Sequence, residues 1–217
     1  MQDFSITRQN MINSQLKPNG VLNPLVLDAL SKVPKETFVP EIYKNLAYLD
    51  ESLEISTGRY LMESMVFGKL IQEIRFDPED VVLDIGCGTG YSTAVFSKLV
   101  ATVVGLEENQ HLRDQAIKNL LHLNVDNVAV IDGSHNQGDS ENGPYNVIFL
   151  GGAVEFIPNI IKNQLNDGGR LVAVLNKENV GRGIIVQRNN DTFTQRDLFD
   201  ANIPILAGFS SDVGFVF

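Results

Sequence analysis

The spacing of apolar and polar residues along this chain changes near residue 76. Before that point apolar residues recur mainly at helical spacing, and Asn23-Pro24 is typical of a helix start, with an N-cap followed by proline. After it, short apolar runs alternate with helix-period segments, as in parallel strands joined by helices that cover the sheet. We therefore predict a doubly wound α/β fold, in which a helical cap at 1–75 precedes a sheet-forming unit at 76–217.

The same pattern places the individual elements. Predicted helices lie at 5–16, from residue 24 onward, and at 62–74, 91–99, 109–123 and 156–165, with an extended piece at 35–39. Predicted strands lie at 81–85, 101–106, 127–131, 145–150 and, after a turn at 167–169, 170–175; a hairpin of 183–188 with 193–199 and a strand-like tail at 213–217 follow.

The composition is that of an acidic globular protein. The 217 residues carry 17 basic and 27 acidic side chains, a formal net charge of −10. This charge has the wrong sign for a surface that neutralises phosphates, so we expect no nucleic-acid partner. No apolar run approaches the roughly 20 residues of a membrane span, and the polar start of the chain does not resemble a signal peptide. With Cys87 as its single cysteine, we expect a cytoplasmic protein that has no membrane partner.

A glycine-rich loop is the most informative motif. The run DIGCGTG (84–90) follows a predicted strand and opens a predicted helix, which is the setting of a ligand-binding loop; a turn with glycines for geometry alone is the alternative. A dinucleotide loop of the form G-x-G-x-x-G requires glycine at position 91, where this chain has Tyr91. The pattern acid-x-G-x-G-x-G instead resembles motif I of the class I methyltransferases that bind S-adenosylmethionine.

This resemblance implies where the cofactor binds. Glu107 ends the next predicted strand, and a carboxylate there accepts bonds from both hydroxyls of a ribose; a solvated surface acid is the alternative. Asp132 ends the third strand and in this resemblance lies along the adenine, or else it is a turn residue. The implied cofactor-binding residues are Asp84, Gly86, Cys87, Gly88, Gly90, Glu107, Glu108, Asp132 and Gly133. No metal is expected, since His111 and His122 lie three helical turns apart.

Further motifs, spread over about residues 8–175, narrow the resemblance. They are MINSQL (11–16), VPKETFVP (33–40), AYLD (47–50), LEI (53–55), DG (132–133), PYN (144–146), IP (157–158), QL (164–165) and GGRL (168–171). In order and spacing they resemble the protein-L-isoaspartate O-methyltransferase family. The resemblance implies a Rossmann-like class I methyltransferase fold, with a seven-stranded, mostly parallel sheet and an N-terminal cap over the cofactor. It also implies methylation of the α-carboxylate of β-linked aspartates in damaged proteins, which starts their repair, and thus a protein or peptide partner.

One segment departs from the family's pattern. Where the family has Gly-x-Gly-Gln-Thr-Ile-Ser-x-Pro, this chain reads STGRYLMES (56–64), so that Arg59, Tyr60 and Met62 replace Gln, Thr and Ser. In one interpretation Arg59 and Tyr60 position the substrate carboxylate and isoaspartyl methylation survives. In another, Arg59 is a surface arginine paired with Glu63. The remaining alternatives are a different methyl acceptor, or cofactor binding without methyl transfer.

Other features bear on the acceptor. The Asn/Asp-Pro-Pro-Tyr/Phe sequence with which nucleic-acid methyltransferases grip a base amine is absent, and the fourth strand ends FLGG (149–152). That glycine pair either admits the acceptor or forms a simple turn. His135, in the loop after the third strand, is a candidate to approach a substrate, and Asn146 stands where the family has an aspartate.

Overall fold

The computed structural model describes residues 3–211, so the tail strand predicted at 213–217 lies outside the described residues. Its N-terminal part contains α1 (Phe4–Met11), continued by a π-helical turn (Ile12–Leu16), then α2 (Pro24–Lys32), two 3-10 segments (Lys35–Thr37 and Glu41–Leu46), the strands β1 (Leu53–Ser56) and β2 (Arg59–Leu61), and α3 (Ser64–Gln72). The predicted start of α2 is confirmed, because the Asn23 side chain accepts from the backbone N–H groups of Leu25 and Val26.

Two parts of this region differ from the prediction. The stretch 35–39, predicted to be extended, begins with a 3-10 turn, since Thr37 and Phe38 donate to the carbonyls three residues earlier. The segment before α3 forms an antiparallel hairpin in which Leu53 pairs with Leu61. Its turn uses Gly58 at φ +70°, and the Gly58 N–H donates to Glu54 Oε1 at 3.0 Å.

A seven-stranded sheet forms the rest of the molecule and confirms the predicted fold class. Its strands are β3 (Val81–Ile85), β4 (Thr102–Leu106), β5 (Val128–Ile131), β6 (Tyr145–Val154), β7 (Leu165–Lys177), β8 (Val180–Asn189) and β9 (Thr192–Asp200). The spatial order is β5-β4-β3-β6-β7-β8-β9. Pairs among the first five are parallel, and β8 pairs antiparallel with both β7 and β9, as the predicted hairpin requires.

The helices α4 (Tyr91–Phe96), α5 (Gln110–His122) and α6 (Asn159–Lys162) connect these strands. The last is much shorter than the helix predicted at 156–165. It ends early because Leu165 already belongs to β7 and pairs with Tyr145, so the chain after Lys162 must enter the sheet. The predicted turn at 167–169 lies within β7 as an irregularity of the pairing: Leu165 pairs with Tyr145 and Arg170 with Val147, and Gly168 between them has a φ of +76°.

Two hydrophobic clusters cover the two faces of the sheet. Side chains alternate along β3, so that Val82 belongs to one cluster and Leu83 to the other. The cluster around Val82 also contains Leu30 and Phe67, and so joins the N-terminal helices to the sheet in one core. Within residues 3–211, none of the helices is both long and apolar enough to cross a membrane.

The strand order changes direction at β3. From β3 the chain proceeds outward to β4 and β5, then returns to the other side of β3 as β6. In open α/β sheets ligands bind beside such a reversal, at the carboxyl ends of the strands. The loop after β3 and the end of β4 are therefore where a ligand site is expected.

Candidate active site

The glycine-rich loop connects β3 to α4 at this edge. Gly86, Gly88 and Gly90 all have positive φ, at 76°, 57° and 96°, so side chains at these positions would be strained. Cys87, between them, is buried, and burial raises its pKa well above the usual value of a thiol. Cys87 is therefore a small packing residue and not a nucleophile.

Asp84 lies buried at the base of this loop. Its Oδ2 accepts 2.7 Å hydrogen bonds from the hydroxyls of Ser92 and Thr93 in α4. Its Oδ1 is also buried and has no hydrogen-bond partner among residues 3–211. Burial raises the pKa of Asp84 to about 6, although the two hydroxyls act in the opposite direction. An unpaired carboxylate oxygen in a water-excluded site is an acceptor suited to a cationic group.

Glu107 follows β4 and is completely buried. Its Oε2 accepts from Gly88 N at 2.8 Å and from Arg59 Nη2 at 2.6 Å. Its Oε1 accepts from Asn109 N at 3.1 Å and lies 3.4 Å from His135 Nε2. Burial by itself would raise the pKa of Glu107, but His135 and the Arg59 charge outweigh it and hold the pKa below the usual value.

Arg59 reaches this carboxylate from β2 and is only 7% exposed. The interpretation of Arg59 as a surface arginine paired with Glu63 is therefore wrong. Its Nη2 also donates to Gly86 O at 3.3 Å, while Nε and Nη1 are buried without a hydrogen-bond partner in the described part of the chain. Tyr60 is half-buried, and it lines small cavities together with Met62.

The remaining predicted residues lie at the same edge of the sheet. Asp132 is largely exposed, and its Oδ1 accepts from Arg113 Nη1 at 2.6 Å, while the same nitrogen donates to Glu107 O at 3.0 Å. His135 is fully buried; its backbone N–H donates to Glu108 Oε2 at 3.4 Å, and its side-chain Nε2 accepts from Glu108 N at 3.4 Å. The side chain predicted to approach a substrate thus packs between two acidic residues instead.

Apolar side chains cover the loop glycines in this conformation. Leu206 packs so closely on Gly86 that a Cβ there would lie 2.7 Å from Leu206 Cδ1, and Ile55 covers Gly88 at the same distance. The cavities beside the loop have volumes of about 20 Å³ and about 10 Å³. Each admits about one water, whereas pockets for small molecules usually measure about 300–1,000 Å³.

A much larger groove, of about 1210 Å³, lies at the other end of the strands, around Arg75, Asp80 and Arg170. It is formed at the amino ends of β3 and β6, where open α/β sheets do not place their ligands. Asn146 belongs to this groove, and its Oδ1 accepts from Val81 N at 2.9 Å, which gives it a structural role. Within residues 3–211, no three His, Cys, Asp or Glu side chains are grouped as metal ligands.

Almost the whole chain matches one protein family. The family model described as Protein-L-isoaspartate(D-aspartate) O-methyltransferase (PCMT) matches residues 7–204. The chain belongs to this family. The protein-L-isoaspartate O-methyltransferase of Herpetosiphon aurantiacus is 32% identical over 201 residues, which cover 93% of this chain and 90% of that protein. The protein of the same name from Methanospirillum hungatei is 33% identical over 193 residues, 89% of each chain.

Solved structures share the fold of this PCMT family member. One protein-L-isoaspartate O-methyltransferase superposes with a TM-score of 0.81 at 24% identity, covering 93% of this chain and 66% of that one. A putative PCMT from Plasmodium falciparum, in complex with S-adenosyl-L-homocysteine, superposes with a TM-score of 0.79 at 19% identity, covering 95% and 99%.

Three features of this PCMT family member's site were not predicted from its sequence. They are the Arg59–Glu107 ion pair, the packing of Leu206 on the loop, and the buried Lys35. Lys35 Nζ donates to Ser64 Oγ at 2.9 Å and to Met62 O at 3.3 Å, and burial lowers its pKa to about 8. The sequence signal for Lys35 was its place inside VPKETFVP; Leu206 lies in a stretch without any motif.

Proposed function

We propose that this chain is an S-adenosylmethionine-dependent methyltransferase that methylates the α-carboxylate of isoaspartyl residues in damaged proteins, the first step of their repair. The observation that carries the proposal is the intact glycine loop between Asp84 and Glu107, at the carboxyl edge of the sheet, in a member of the PCMT family. A cytoplasmic location belongs to the same proposal and is supported by the single, buried cysteine.

The residues present fit this cofactor in kind. Asp84 Oδ1, buried and unpaired within residues 3–211, suits the cationic amino-acid end of the molecule, and Glu107 suits the ribose hydroxyls. The residues that would hold it are Asp84, Gly86, Cys87, Gly88, Gly90, Glu107, Glu108, Asp132 and Gly133. When bound, S-adenosylmethionine supplies a methyl group already activated by its sulfonium.

The chemistry expected of the chain itself is modest. An acceptor carboxylate is ionised at pH 7, so no general base is required. The apolar walls around the loop, which include Ile55, Phe67 and Phe149, exclude water. Desolvation and alignment of the acceptor then supply the rate enhancement.

Substrate positioning falls to Arg59 and Tyr60 in this proposal. Tyr60 offers a phenolic hydroxyl beside the glycine pair Gly151-Gly152. Arg59 has unpaired donors at Nε and Nη1 as far as residues 3–211 are concerned, but its Nη2 is engaged by Glu107. Arg59 can therefore bind an acceptor carboxylate through both of its terminal nitrogens only after the Arg59–Glu107 ion pair opens.

A second candidate function is cofactor binding with another acceptor, or without methyl transfer. The specific observation that favours it is the replacement of two hydroxyl side chains by Tyr60 and Met62, together with the engagement of Arg59 by Glu107.

Two measurements on the purified chain distinguish these functions. The first is transfer of labelled methyl from S-adenosylmethionine to an isoaspartyl peptide, with the same peptide containing normal aspartate as control. The second is calorimetric binding of S-adenosylhomocysteine. We expect methyl transfer to the isoaspartyl peptide and none to the control peptide that contains normal aspartate.

Binding without peptide methylation would overturn the isoaspartyl function and support the second candidate. In that case the triple variant Arg59→Gln, Tyr60→Thr, Met62→Ser shows whether segment 56–64 is the cause, by whether it gains transfer. Absence of binding would overturn both candidates.

A further inference from the structure

Three hydrogen-bond donors of the protein already occupy the Glu107 carboxylate. An ionised carboxylate has about four lone-pair sites. Gly88 N, Arg59 Nη2 and Asn109 N donate to its two oxygens at 2.8, 2.6 and 3.1 Å. About one site remains for the two hydroxyls of a ribose, so at least one of these donors must leave before a nucleoside binds through both hydroxyls.

Arg59 is the group that can leave. Gly88 and Asn109 contribute backbone N–H groups next to β3 and β4, in the central part of the sheet. Arg59 comes from β1–β2, a two-stranded hairpin separate from the main sheet. Leu53, Ile55 and Leu61 pack this hairpin on the core, but it shares no strand pairing with the described sheet, so it can shift as a unit at a lower free energy than a central strand.

The closed arrangement also leaves the guanidinium poorly satisfied. Nε and Nη1 are buried and, among the described residues 3–211, find no acceptor. Burying donors without partners opposes the gain from the Nη2–carboxylate bond. The ion pair is thus a contact that a competing ligand can displace.

The same hairpin closes the space above the loop. Ile55 of β1 packs on Gly88, directly beside the Gly88 N–H that donates to Glu107. Movement of this hairpin therefore removes the guanidinium and uncovers the loop glycine in one step.

We propose that Arg59 is a gate to the nucleoside site, in which its guanidinium competes with the ribose hydroxyls for Glu107. The identity of the ligand rests on the proposed function. Only molecules in which the Arg59–Glu107 pair is open bind the cofactor, so the apparent affinity is lowered by the open fraction. If one molecule in about ten is open, removal of Arg59 tightens binding about tenfold, which is equivalent to about 1.4 kcal/mol.

The test is the calorimetric affinity for S-adenosylhomocysteine of the wild type and of Arg59→Gln. Arg196→Gln is the matched control. Arg196 lies on β9 and forms an exposed ion pair with Glu73, so this variant removes the same charge far from the loop. We expect a gain of about tenfold for Arg59→Gln and about twofold or less for Arg196→Gln.

Arg59→Gln leaves the buried Glu107 carboxylate without its cationic partner, which destabilises the fold. Thermal unfolding of the variant therefore comes first and shows whether it folds. If it does not fold, Arg59→Lys carries the test: it keeps the charge without the planar Nη2 contact, and its affinity should exceed that of the wild type.

The outcomes separate the gate from the proposed function. Binding by Arg59→Gln but not by the wild type supports the gate and overturns the methyltransferase function. Equal or weaker binding by the variant overturns the gate, and wild-type binding then leaves the function standing. Absence of binding by every variant overturns both.

Discussion

The buried carboxyl of Asp84 makes the stability of this protein depend on pH. Its pKa is raised from 3.8 to about 6 in the folded state, because burial disfavours the charge. At pH values below the pKa of Asp84 in the unfolded chain, the carboxyl is protonated in both states, and its burial costs no charge desolvation. As pH rises toward 6 the unfolded chain ionises first, so the folded state loses stability. Above pH 6 the loss is complete, at about 3 kcal/mol for a pKa difference of about 2.

Asp84→Asn removes this penalty, since an amide has nearly the same shape and no charge. Its NH₂ group finds no acceptor at the position of Oδ1 within residues 3–211, which adds a constant cost of about 1–3 kcal/mol. That cost is independent of pH. The free energy of unfolding of the variant, minus that of the wild type, should therefore increase by about 2 kcal/mol between pH 4 and pH 7, since the unfolded carboxyl is already partly ionised at pH 4.

Urea unfolding followed by circular dichroism at pH 4, 5, 6 and 7 measures this difference. Asp28→Asn, which removes the same charge from an exposed side chain paired with Lys32, is the control, and the pH-dependent change for Asp84→Asn should exceed the change for this control. A difference for Asp84→Asn that does not change with pH would refute the reasoning. The variant should also bind S-adenosylhomocysteine more weakly at pH 7, since the free oxygen is then lost.

Three further predictions concern the core, a backbone contact and a buried cation. Phe67→Ala should lower the free energy of unfolding by about 3–5 kcal/mol in urea titrations, because a fully buried ring is lost, whereas Phe156→Ala, at an exposed position, should change it far less. Gly181→Ala should cost about 1–3 kcal/mol, since its Cβ would overlap the Ala201 carbonyl oxygen; an unchanged urea midpoint would contradict this. The pKa of Lys35 is lowered to about 8, so between pH 8 and pH 10.5 the folded state has lost this proton while the unfolded chain still holds it. The free energy of unfolding of the wild type, relative to that of Lys35→Met, should therefore rise by about 3 kcal/mol over this range, as measured by urea unfolding.

The strands and the glycine loop were predictable because their signals are local. Val81–Ile85 is a largely apolar run followed by glycines, and such a run predicts a buried strand from its own residues without information about its neighbours in space. The helix predicted at 156–165 was wrong because its length is set by a partner elsewhere in the chain. Leu165 pairs with Tyr145, and this pairing ends α6 at Lys162.

The hairpin β1–β2 shows the same limit. Three- and four-residue strands carry too short a pattern to distinguish them from a helical connector, and only Gly58 marked a turn. The structure therefore brings Asp84 and Glu107 to one edge of the sheet, where the sequence pattern placed them, whereas the contacts on the side that this hairpin supplies were not predicted.

By itself, the sequence determined the α/β class, the glycine loop between two acids, and the family. These depend on residue spacing within short segments, where covalent geometry fixes which side chains share a face. Only the tertiary structure decided what the acids contact. Arg59 and Glu107 are 48 positions apart, and their pairing arises because the hairpin packs against the carboxyl ends of β3 and β4. Two charges that are unrelated along the chain thus share one buried site, and no local pattern encodes that distance.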